Sequence, residues 1–216
     1  MPSPTWDADA VTGEHLQQSA ALCRSTLTPA LDADWSVPAG PLTWTCRETL
    51  DHISDALGFY CGQLATRTAS QRPRFRNGDP RATIPALFDA IDSGAAMLIA
   101  IASGTSPELR AFHRMGASDA EGFLAMGCEE ILVHTWDIAQ GLGLNVAVPE
   151  DLSRAVLHRL FPWAPVDCSP WHAQLWSSDR IELPGKDKIG SWGWHGAPIS
   201  EWDGQMRPAI VFPVES

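Results

Sequence analysis

The sequence predicts a mainly α protein: a four-helix bundle, an extra helix, and a small C-terminal β-containing extension. Two observations predict it. Four apolar periodicities of helical length fill the first two thirds of the chain, each bounded by Pro- and Gly-rich punctuation. After Gly143 the pattern breaks into short runs separated by Gly and Pro. At 216 residues and 44% apolar composition the chain can bury a sizeable core. The expected division places the bundle at 1–148 and the helix with its Trp-rich cap at 149–216.

The first helix is expected over 8–31, closed off by Val37-Pro38-Ala39-Gly40-Pro41. The second, over 45–68, opens on Thr45 as N-cap with Glu48 three residues on, a capping box. Its Leu50, Ile53, Leu57, Tyr60 and Leu64 form one apolar stripe. The third, over 79–103, begins at the Gly78-Asp79-Pro80 break and ends before Gly104. The fourth, over 118–142, opens on Ser118 with Glu121 as capping-box partner. A fifth, over 149–161, has Pro149 in its first turn and Glu150 and Asp151 at its positive end. From Pro162 onward lie six of the ten tryptophans. Here Ala173-Gln174-Leu175-Trp176, Arg180-Ile181-Glu182-Leu183 and Ala209-Ile210-Val211-Phe212 read as short antiparallel strands. The stretch Trp192-Gly193-Trp194-His195-Gly196-Ala197-Pro198 reads as a platform for a ligand or as a packing surface over the bundle, the commoner use of tryptophan-rich hairpins.

Charge narrows the partners. A formal charge of −11 and a pI near 4.9 disfavour phosphate backbones and anionic membranes, both of which select clustered Lys and Arg. Nucleic acid and membrane are therefore excluded as partners. Cysteines 23, 46, 61, 128 and 168 are odd in number and contain no CxxC pair, which fits reduced thiols in a cytoplasmic protein. The first residues lack a basic segment followed by an apolar core, and no run is expected to span a membrane.

The chemistry concentrates at Glu130-Ile131-Leu132-Val133-His134. Four residues apart on a helix, a carboxylate and an imidazole sit about 40° apart around the axis and can share one ion. The same spacing also occurs as a solvated surface pair, but Phe123, Gly127, Glu130, His134, Ile138 and Gly141 fall along one stripe of small and apolar residues. A carboxylate buried there needs a partner. On the second helix His52 lies on the flank of the apolar stripe beside Ala56 and Phe59, placed as an inward ligand or a boundary histidine. His52, Glu130 and His134 together describe a three-ligand divalent metal site with one position open, the pattern of a working centre. Asp137, nearly one turn after His134, fits a carboxylate that orients the imidazole or a solvent-facing residue. Cys128 points away from the Glu130 face. His113, His158, His172 and His195 share no ligand spacing, and His195 stands out for its aromatic neighbours.

The stretches Trp44-Thr45-Cys46-Arg47-Glu48-Thr49-Leu50-Asp51-His52 and Glu130 to His134-Thr135-Trp136-Asp137-Ile138-Ala139 resemble the DinB-like superfamily, in particular its mycothiol-dependent maleylpyruvate isomerase branch, over roughly Val11 to Gly143. The resemblance implies a four-helix bundle holding Zn²⁺ or another divalent metal through His52, Glu130 and His134. It further implies activation of a low-molecular-weight thiol such as mycothiol for isomerisation or S-transfer on a small electrophile. That branch carries a sizeable C-terminal α/β domain, whereas the tail here is short and rich in tryptophan. Two other classes fit the same residues: a metal-dependent hydrolase using bound water, and a non-catalytic protein binding a small ligand in the cavity.

Overall fold

The computed structural model describes residues 3–70 and 79–206. Its helices are α1 (Gly13–Leu27), α2 (Cys46–Thr66), α3 (Ile84–Ser103), α4 (Ala120–Leu142), α5 (Glu150–Leu160) and α6 (Pro170–Ser177). α1 and α2 each pack against both α3 and α4, and α3 also packs on α4, which closes the four-helix bundle. α5 packs on α4, and α6 on α5.

The starts of α2, α3, α4 and α6 are set by side-chain oxygens that satisfy the first free backbone N–H groups. Thr45 accepts from the Glu48 N–H while Glu48 returns to the Thr45 N–H, the predicted capping box. Thr83 caps α3 with Pro85 in its first turn, so the helix starts five residues later than Asp79. At α4 the cap is Asp119, whose carboxylate accepts from the Gly122 N–H, rather than the predicted Ser118. Glu121 does not close a capping box there; it accepts from the Val11 N–H across the bundle.

The expected β-containing extension needs correction. Among the described residues the tail has no strand, only an isolated bridge between Leu183 and Lys186. Ala173 to Trp176 lie in α6, because Ser169 caps it and Pro170 fits its first turn. The segment 209–212 lies outside the described residues. The core runs without a break through both expected parts, from Leu16, Leu57 and Leu98 in the bundle to Leu157, Ala173 and Trp194 in the tail.

Among the described helices only α3 has the length and mean hydropathy of a membrane span, by composition alone, a test that a core helix also passes. Its Leu87, Phe88, Ile91, Gly94, Ala95 and Leu98 face the bundle, and its outer face carries Asp89 and Asp92, which hold Arg24 of α1. All five cysteines are free. Cys23, Cys46, Cys61 and Cys128 are buried, and burial pushes the Cys23 and Cys128 thiols up to about 12 and those of Cys46 and Cys61 up to about 11.

Candidate metal centre

α2 and α4 lie side by side, and their facing surfaces bring His52, Glu130 and His134 together. The Glu130 Oε2 oxygen lies 3.5 Å from His52 Nε2 and 3.3 Å from His134 Nε2. Donors held about 2.1 Å from a single tetrahedral ion are about 3.4 Å apart, so the spacing of this trio suits a divalent metal. The other oxygen, Oε1, accepts from the Tyr60 hydroxyl at 2.8 Å, so Oε2 is the oxygen that faces both imidazoles. Tyr60, read from sequence only as a core residue, thereby shapes the site.

His134 is oriented from behind. Its Nδ1–H donates to Asp137 Oδ2 at 2.9 Å, which turns Nε2 toward Glu130. Asp137 is fully buried, so it is no solvent-facing residue. His52 is set from the other side by Trp44, whose ring centroid lies 4.8 Å away. Trp44 is delivered by the α1–α2 connection, folded back on itself through the bridge between Pro38 and Thr45.

Electrostatics bind the trio. Burial alone would raise the Glu130 carboxyl, but the hydrogen bonds and positive charge of His134 and His52 hold it well below the usual range. For His134, burial opposes the charged ring, yet hydrogen bonds to Asp137 and Glu130 and their charges push it up to about 9. Next to them on α4, Glu129 points the opposite way into the tail, where Gln174 and Ser178 donate to it. Burial outweighs those bonds and the charge of Arg180, pushing Glu129 up to about 7.

The three donors sit on the wall of a cavity of about 520 Å³. Trp44, Phe59, Tyr60, Met115, Trp192 and Trp194 make its lining mostly apolar, and His113, Arg114 and Arg180 also reach it. That volume falls within the range of small-molecule sites, about 300–1,000 Å³. Two contributors come from the stretch singled out in the tail: Trp192 and Trp194 both pack and line the cavity. His195 does not reach it; it is buried and its Nε2–H donates to the Pro198 carbonyl. His113 was not flagged by spacing, yet it stacks on Trp194 at 5.6 Å within the lining. No local pattern could have found it, because tertiary folding of the α3–α4 connection places it there. Elsewhere, His158 donates to the Trp6 carbonyl and His172 is exposed. Cys128 is buried away from the cavity, as its position predicted.

The sequence profile of the DinB superfamily matches residues 15–138, more than half of the chain and nearly the whole of α1 to α4. No curated protein and no solved structure gives a significant match. The bundle, the span of that match and the convergence of the second and fourth helices on one donor cluster agree, and the chain belongs to the DinB superfamily.

Proposed function

We propose that this protein is a metal-dependent enzyme that activates a low-molecular-weight thiol for S-transfer to, or isomerisation of, a small electrophilic substrate. The observation that carries the reading is the position of His52, Glu130 and His134: two imidazoles and one carboxylate oxygen, at ion-sharing distances, on the wall of an apolar cavity. Zn²⁺ or a similar divalent ion held by this trio would lower the pKa of a thiol or water that reaches it. The chain's own residues supply the rest. Asp137 fixes the His134 ring, Tyr60 holds the carboxylate, and Trp44, Trp192 and Trp194 give an apolar lining to the space where substrate and thiol would meet. The stretches Trp44 to His52 and Glu130 to Ala139 favour the thiol-using branch, with mycothiol as the first candidate.

Elemental analysis of protein reconstituted with zinc should find about one ion per chain, and His134→Ala should lose it. On cobalt substitution, mycothiol should produce a sulfur-to-metal charge-transfer band. A cobalt protein that stays silent toward mycothiol and other small thiols while it cleaves an ester or amide would replace this reading with a hydrolase using metal-bound water. Silence in both assays would leave a small-ligand-binding protein.

A further inference from the structure

The C-terminal tail reaches the donor trio through one buried ion pair. Arg180, with its side chain 7% exposed, follows α6 and meets the fully buried Asp137 of α4. Its Nε donates to Asp137 Oδ1 at 2.8 Å and its Nη2 to Oδ2 at 3.0 Å, a two-point fork, while Nη1 donates to the Ser178 carbonyl at 2.7 Å. Every nitrogen of the guanidinium therefore has a protein partner, and its face lies over Trp192, 6.0 Å from the ring centre. Although Arg180 borders the cavity, it is occupied as a clamp. The backbone prepares this: Asp179 adopts a positive φ of 60°, the Arg180 N–H returns to the Leu175 carbonyl, and Ser178 and Gln174 anchor the turn on Glu129.

We propose that Arg180 is a positioning residue of the metal centre. It fixes both oxygens of Asp137, Asp137 then fixes the His134 ring through Nδ1, and His134 Nε2 is presented beside Glu130 Oε2 at 3.3 Å. In this arrangement the tail completes a site whose ligands all lie in the bundle. The inference rests on the metal reading given above.

The test is cobalt binding by the full chain, read as affinity and as the visible absorption spectrum, with the thermal melt of the metal-free protein as a check on folding. Arg180→Gln should weaken cobalt binding roughly 10- to 100-fold and alter the spectrum, the usual scale for loss of a group that orients a ligand. Arg180→Lys, which keeps the charge but not the fork, should recover part of the affinity and remains informative if the Gln variant folds poorly. Because Arg180 acts through Asp137, the double variant with Asp137→Asn should bind within about twofold of Asp137→Asn alone. Losses that multiply, or an Arg180→Gln protein with unchanged affinity and spectrum, overturn the role of Arg180 and leave the metal reading standing. An unmutated chain that takes up no cobalt overturns the metal reading, and this inference with it.

Discussion

Glu130 divides its two oxygens between different duties, one toward the imidazoles and one toward the Tyr60 hydroxyl. Removing the phenol oxygen leaves the carboxylate free to rotate, so Tyr60→Phe should weaken metal binding by about 10-fold with little change in fold, as measured by competition with a chelator. His113 offers a different reading of the same wall. Burial drives its imidazole down to about 4, although the charge of Glu130 opposes this, and its Nδ1 accepts from the Met115 N–H. The folded ring is thus neutral where the unfolded one, titrating near 6.5, is charged. Between pH 6.5 and about 4 the unfolded state binds more protons, so stability falls as pH drops through this window, by up to about 3 kcal/mol from this group. Urea unfolding from pH 7 to pH 4 should show that slope, and His113→Gln should flatten it; an unchanged slope would assign the acid sensitivity to other groups. Glu130 and His134 were legible from their spacing together with the small and apolar stripe they share, because helical periodicity places them on one face. Tyr60, His113 and Arg180 were not, since nothing in a local pattern tells which tertiary neighbour a side chain will meet.

Helix α2 shows how far an element can be read from its letters. Its apolar stripe and capping box both lie within one short window, and both formed as the sequence indicates. Thr45→Ala should destabilise the fold by about 1 kcal/mol in chemical denaturation, with the cap bond as the cause. α6 is the opposite case. Its Ala173 to Trp176 run is too short to separate helix from strand by period, and the deciding features were Ser169 and Pro170 just before it. The same limit applies to the junction of α4 with the α1–α2 connection. A Cβ at Gly141 would collide with the Pro38 carbonyl and lie 2.7 Å from Cys46 Sγ, so this glycine lets the connection lie flat against the helix. Gly141→Ala should lower stability by about 1–3 kcal/mol and, by pushing the segment that carries Trp44, disturb His52 as well. A variant with wild-type stability would show that the connection yields at no cost.

At the scale of the molecule, the tail is part of the core. Ala173 and Trp194 belong to the same apolar cluster as Leu16 and Leu98, and Arg159 of α5 is fully buried where it bonds Asp119 and the carbonyls of His195 and Gly196. A chain ending at residue 161 would expose this surface and strand Glu129 and Asp137 without Ser178, Gln174 and Arg180. It should be poorly soluble and should fail to bind metal; a soluble, monomeric fragment of full stability would show that the bundle stands alone. The burial of the cysteines across α1, α2 and α4 has a further consequence. Thiolate is the reactive form, and thiols pushed to about 11 or 12 hold almost none of it at neutral pH. Buried thiols in this state are shielded from electrophiles, leaving partly exposed Cys168 as the place where an alkylating reagent such as iodoacetamide should first leave its mark.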